Sequence, residues 1–231
     1  MRTLTGNLGF GSMKNTSNTK LLIHSNTTNA STSFTDSASG HTVTASADAQ
    51  HKTDQKKWGK TSMYFDGTGD YLTVPDHDDF ALGTSDFTID FWIRFGSVDI
   101  TQPICEQLED SYNYTLIRWE SGYIFFYHYS SGVSNIGKAG AWTPVVNTWY
   151  HVAVIRGWGG DSTVFEICVN GKALGLGGVE ADTIDDLSAD FKIGIWSNGP
   201  DYFNGHIDEF RLVKGEALWT TNFIPPAGPY S

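Results

Sequence analysis

Cysteine is nearly missing: the 231 residues hold two, Cys105 and Cys168, both in stretches that read as strands. No disulfide framework can prop up such a chain, so two buried free thiols are expected and the core itself must supply the stability. Basic residues are scarce as well. Fifteen Lys and Arg stand against 26 Asp and Glu, a formal net charge of −11, and no basic cluster is placed to neutralise a row of phosphates, which argues against nucleic acid as a partner. Nowhere do about 18 apolar residues run together, so no membrane span is expected. The first residues, MRTLTGNLGFGSMKNTSN, lack a continuous apolar run of the signal-peptide type, and the expectation is a chain made and folded in the cytosol. Four Asn-x-Ser/Thr triplets, at Asn15, Asn26, Asn29 and Asn113, therefore carry little weight as glycosylation sites. No amphipathic helix of ordinary length stands out. Gly-x-Ser-x-Gly, a Walker loop, His-Glu-x-x-His and paired Cys-x-x-Cys are missing too. The seven histidines show no spacing that suits a transition metal, and each is expected to be satisfied or exposed.

Strand signals fill the space that these absences leave. In Asp86–Phe95, DFTIDFWIRF, Phe87, Ile89, Phe91, Ile93 and Phe95 alternate with Thr88, Asp90, Trp92 and Arg94, which predicts a long half-buried strand. Trp149–Arg156, WYHVAVIR, is apolar on both parities, as a central strand covered on both sides, or one carrying a wet aromatic face, would be. Thr163–Val169 alternates and runs into Asn170-Gly171, a dipeptide that tolerates the positive φ angles of a tight hairpin. Further glycine-containing turns cut the chain into short extended pieces, while residues 25–60 are rich in Ser, Thr and Ala, with Thr42-Val43-Thr44 a candidate short strand. An aromatic content of 14% in one chain of this length predicts a single all-β domain built as a two-sheet antiparallel sandwich.

Six segments then acquire a common meaning. SMYFDGTGDYLTVP at 62–75, DFTIDFWIRF, NTWYHVAVIR, FEICVNGKAL, and finally GHIDEFRLVK with ALWTTNFIPP resemble, in this order, the strands of laminin G-like jelly-roll domains of the concanavalin A-like superfamily. The resemblance covers residues 20–231 and implies a domain at 19–231, with residues 1–18 as a flexible or docking arm. Gly67 and Gly69 permit a tight reversal, after which Leu72 and Val74 re-enter the core, and Ile224-Pro225-Pro226 is expected to end the fold because proline cannot donate to a ladder. Glucanases on this fold need two glutamates on one strand face. Here the nearest imitation is Asp86-x-x-x-Asp90, with no glutamate at either place, so no enzyme is expected.

The same resemblance implies a structural calcium ion, with Asp36 and Asp208 as candidate ligands and with Asx capping and loop-holding as their alternative roles. Asp66 and Asp70 are expected as turn-formers. For carbohydrate, the candidates are Trp158, in a glycine-rich tip where burial is hard to arrange, and Trp196 and Tyr202, which flank a turn. Tyr123, Phe125, Tyr127 and Tyr129 share one parity and read as core or sheet face. The DEFRLVKG and NFIPP endings resemble those of jelly rolls in phage structural proteins. The expected function is therefore a non-catalytic virion protein (head-decoration, fibre or tail-associated) that displays a laminin G-like domain with glycan as its candidate ligand. It would meet other virion proteins or its own copies through Leu4, Leu8, Phe10 and Met13 of the arm. A bacterial surface carbohydrate-binding adhesion module is the alternative, and a glucanase-like enzyme the third reading.

Overall fold

The computed structural model describes residues 15–199 and 201–231. Alternating side chains and glycine turns divide it into β1 (Thr19–Ile23), β2 (Phe34–Thr35), β3 (Thr42–Ser46), β4 (Gln50–Lys52), β5 (Ser62–Asp66), β6 (Tyr71–Val74), β7 (Phe87–Phe95), β8 (Gln102–Asp110) and β9 (Asn113–Glu120). There follow β10 (Tyr123–Ser130), β11 (Val133–Ala141), β12 (Trp149–Arg156), β13 (Phe165–Val169), β14 (Lys172–Ala173), β15 (Phe191–Ile193), β16 (Ile195–Trp196), β17 (Asp201–Tyr202) and β18 (Asn204–Lys214). Two short 3-10 turns, Asp78–Phe80 and Trp158–Gly160, interrupt them.

Two antiparallel sheets result. The first runs β14-β13-β12-β7-β18-β5-β4, with β1 also paired to β18, and the second runs β11-β10-β9-β8-β15-β6-β3-β2. One core fills the space between them. Phe87, Ile89, Phe91, Ile93 and Phe95 of β7 point into it, opposite Ile117 and Trp119 of β9 and Ile124 and Phe126 of β10. The apolar parity read from the sequence is the one that faces this core, but the strand is not half-buried as expected, because Thr88, Asp90 and Trp92 of the other parity are buried as well. Asn170 and Gly171, at φ +50° and +74°, join β13 to β14 as the hairpin predicted there. Both cysteines are buried free thiols, and burial pushes the Cys168 thiol up to about 12.

The end of the fold differs from expectation. No strand follows Lys214, yet the chain beyond it covers the outer face of the first sheet down to Tyr230, which is 3% exposed. The prolines do not stop it because the segment docks through side chains and a few isolated backbone bonds, such as Phe223 N–H to the Gly171 carbonyl at 2.9 Å, rather than through a continuous ladder. Trp219 and Phe223 stack at 3.9 Å and, together with Trp158, cover Ala153, Ile155 and Cys168. Beneath the segment, fully buried Asp90 accepts from Arg211 Nε at 2.8 Å and Nη2 at 3.0 Å, and from the Tyr230 hydroxyl at 2.5 Å. Burial works to raise the Asp90 pKa, but Arg211 and His151 outweigh it and hold the carboxyl below its ordinary range. Asp90 is sealed in an ion pair rather than set in a cleft.

Residues 1–14 of the expected arm lie outside the described residues. Of its remainder, the Asn15 N–H donates to the Ser231 carbonyl, and the Asn18 carbonyl accepts from Lys214 N–H at 3.0 Å.

Candidate functional site

Because β10 sends Ile124, Phe126 and His128 inward, Tyr123, Phe125, Tyr127 and Tyr129 must stand on the outer face of the second sheet. The neighbouring strand leaves them uncovered. β11 places Ala141, Ala139 and Gly137 opposite Tyr123, Phe125 and Tyr127, so no large side chain from that side can cover the rings. Tyr123 stays 46% exposed and the other three half-buried. The rings form a ladder, with Phe125 and Tyr127 stacked at 5.1 Å and Tyr129 stacked on Tyr114 of β9 at 4.7 Å. Arg118 of β9 lies 5.9 Å from the Phe125 ring and 5.6 Å from the Tyr127 ring, and pairs with Glu120 at 2.8 Å. Its Nε is buried without a hydrogen-bond partner.

The hairpin of β16 and β17 closes one end of this face. Trp196 meets Tyr114 edge-on at 4.8 Å, and Ser197 donates its N–H at 3.0 Å, and its hydroxyl, to buried Glu106 of β8. Beside Arg118 an open hollow of about 390 Å³ is lined by Asp99, Thr101, Glu120, Ser121 and Asp201 among others. Burial raises the Tyr114 phenol to about 12 and lifts Tyr127 as well, so both hydroxyls remain protonated donors near neutrality. Burial also lifts Asp201, with Arg118 opposing and Glu120 assisting. Flat apolar rings flanked by a guanidinium, phenols and carboxylates suit a ligand with apolar C–H faces and many hydroxyls.

The structure separates the aromatic residues singled out in the sequence. Trp196 meets this face through Tyr114 but is only 8% exposed, while Tyr202 is half-buried and pairs with Ile195 in the hairpin, on the parity opposite to Trp196. Trp158, in the 3-10 turn after β12, is half-buried against Ala153, Ile155 and Cys168 on the outer face of the first sheet, so its glycine-rich tip does not leave it free. Sequence reasoning missed Tyr114, Arg118 and Glu120. Their shared parity in NYTLIRWE was the available signal, and only the strand pairing shows that this parity meets the tyrosines.

Asp36 and Asp208 are each occupied by backbone amides. Asp36 Oδ1 accepts from Leu22 and Ala38 N–H, both at 2.9 Å, while Oδ2 accepts from Ser39 at 3.2 Å and His41 at 3.0 Å. Asp208 sits where β18 changes neighbour from β5 to β1, and there Oδ2 takes the Lys57 and Trp58 N–H groups at 3.0 Å and Oδ1 that of Glu209 at 3.0 Å. A hard cation needs free oxygen lone pairs, and converging N–H dipoles repel it, so this pair does not fit a calcium ion. Burial lifts the Asp208 carboxyl to about 8 against those same amides. Asp66 and Asp70 hold turn amides, as expected of turn-formers.

A model of the concanavalin A-like lectin/glucanases superfamily, of the laminin G type, matches residues 66–219. No curated protein matches the chain. Among solved structures, the binding domain of Paraclostridial Mosquitocidal Protein 1 superposes with a TM-score of 0.64 at 15% identity, over 88% of this chain and 50% of that one. Domain 4 of AbnA, an extracellular arabinanase from Geobacillus stearothermophilus in complex with arabinotriose, gives 0.61 at 17%, over 87% and 95%. A structure of botulinum neurotoxin type C, whose cell entry depends on interaction with two ganglioside molecules, gives 0.63 at 13%, over 88% and 49%. At these identities the likeness is one of fold. The chain spans about half the length of the first of these structures.

Proposed function

The chain belongs to the concanavalin A-like lectin/glucanases superfamily, and from that premise we propose that it is a non-catalytic binding module that takes a glycan on the outer face of its second sheet. The observation that carries this reading is the ladder Tyr123-Phe125-Tyr127-Tyr129, left open by the small residues of β11 and flanked by Arg118 and Glu120. A pyranose or furanose ring lays its C–H face on such aromatics, and its hydroxyls take the phenols, the guanidinium and the carboxylates of the adjoining hollow. The arabinotriose in domain 4 of AbnA and the gangliosides of the neurotoxin support this class of ligand. Catalysis is not part of the reading, because Asp90 is locked to Arg211, Glu166 to the Ile167 and Gly175 amides, and Glu209 to the Tyr230 amide. An oligosaccharide array with the purified chain tests it: retention of a defined glycan without release of reducing ends is expected. Hydrolysis lost on mutating Glu166 or Glu209 would overturn the non-catalytic reading.

The proposed carrier is a phage virion, supported by the DEFRLVKG and NFIPP endings. The arm, residues 1–18, would dock the module to other virion proteins or to its own copies. Removing it should leave melting nearly unchanged and abolish incorporation into the particle, and normal assembly of the truncated chain would rule that arm out.

A further inference from the structure

A second site lies at the rim of the sandwich, where the turn before β3 meets the 3-10 turn Asp78–Phe80. His41, His77 and Asp79 each present one ligand atom there, and these atoms all lie within 4.8 Å of one another. Both imidazoles address the same carboxylate oxygen: His41 Nε2 is 3.1 Å and His77 Nδ1 3.4 Å from Asp79 Oδ2, with the two rings 4.7 Å apart. The other oxygen, Oδ1, faces Lys20 Nζ at 3.6 Å, which leaves Oδ2 to the histidines.

The cluster is held in place by the fold. The His41 ring rests 5.3 Å from Phe80, and its backbone N–H is one of the four that Asp36 gathers, so the carboxylate first considered as a ligand instead positions one. His77 Nδ1 accepts the Asp79 N–H at 3.1 Å and lies 3.4 Å from Asp79 Oδ2, so a cation bound at this nitrogen displaces that single amide while Asp79 Oδ2 stays beside it. Two imidazole nitrogens and one carboxylate oxygen, on side chains free to close by small rotations, form the donor set that Zn²⁺ and similar borderline ions prefer, with the remaining position left to water. Sequence spacing cannot reveal this set, because His41 lies far along the chain from His77 and Asp79 and only the second sheet brings them together.

We propose that His41, His77 and Asp79 bind one divalent transition-metal ion, Zn²⁺ or an ion of like preference, which pins the turn before β3 to the Asp78–Phe80 segment. The full chain, stripped with chelator and desalted, is titrated with ZnCl₂ by calorimetry, and Co²⁺ is used as a spectroscopic probe of imidazole ligation. One ion per chain is expected, with the melting temperature raised by saturating Zn²⁺. His77, whose side chain is 52% exposed, can be replaced without disturbing the core. His77→Ala should weaken binding roughly ten-fold or more and remove the Co²⁺ spectrum, because three protein ligands become two. A His24→Ala control should bind as the parent does. Absence of stoichiometric Zn²⁺ binding, or equal binding by His77→Ala, would overturn the site.

Discussion

Asp208 lies buried at the point where β18 exchanges β5 for β1, and three backbone N–H groups depend on it. Asp208→Ala leaves those donors without an acceptor, at a cost of about 2 kcal/mol. In a domain of this size that lowers the melting temperature by about 4–8 °C. The parent should melt at the same temperature in calcium and in chelator, and a lower value in chelator would return the ion to this carboxylate. His206, buried against Tyr64 and bonded to Ser62 at 2.8 Å, has its pKa pushed down to about 4 by burial. The unfolded chain, near 6.5, therefore binds the proton first on acidification, and the stability that depends on neutral His206 is present above that value and lost toward 4. Asp208, lifted to about 8, acts in the opposite sense over the same range. Comparison with His206→Gln isolates the histidine: the stability of the parent minus that of the variant should fall by about 1.3 kcal/mol from pH 7.5 to 5.5, as measured by denaturant unfolding. A constant difference would contradict a histidine held neutral.

Elements whose pattern is local were legible in the sequence. β7, β12 and the β13-β14 hairpin announce themselves through period-two alternation and Asn-Gly, because each buries a face or turns a corner with residues adjacent in sequence. β10 was half legible: one parity is wholly aromatic and the other carries Ile124 and Phe126, so periodicity shows a strand without showing which side is wet. The cover over the first sheet was not legible. Trp158 appeared free at a glycine-rich tip because Trp219 and Phe223, which cover the same patch, lie far downstream, and the partner that Asp90 takes from the C-terminal segment is Tyr230. That segment is accordingly part of the domain. Deleting 217–231 should expose the Asp90–Arg211 pair and abolish cooperative thermal unfolding, whereas Tyr230→Phe, which removes the hydroxyl's bonds to Asp90 and His151, should cost about 1–3 kcal/mol. A deletion variant that melts like the parent would show that the sandwich is complete at β18.

At the scale of the whole molecule the two sheets have different outer faces. That of the first is roofed by the chain's own C-terminal segment, with Arg211 and Asp90 fully buried beneath it, while that of the second keeps its aromatic ladder open beside a polar hollow. A ligand surface is therefore expected on one side of the sandwich only. Calorimetric titration of a glycan retained on the array decides this most directly, comparing the parent with Tyr127→Ala on the open face and Trp158→Ala on the roofed one. The account predicts that Tyr127→Ala weakens binding roughly ten-fold or more, the loss of a stacked ring costing about 1–3 kcal/mol, while Trp158→Ala binds as the parent does. Unchanged affinity in Tyr127→Ala together with a loss in Trp158→Ala would contradict it.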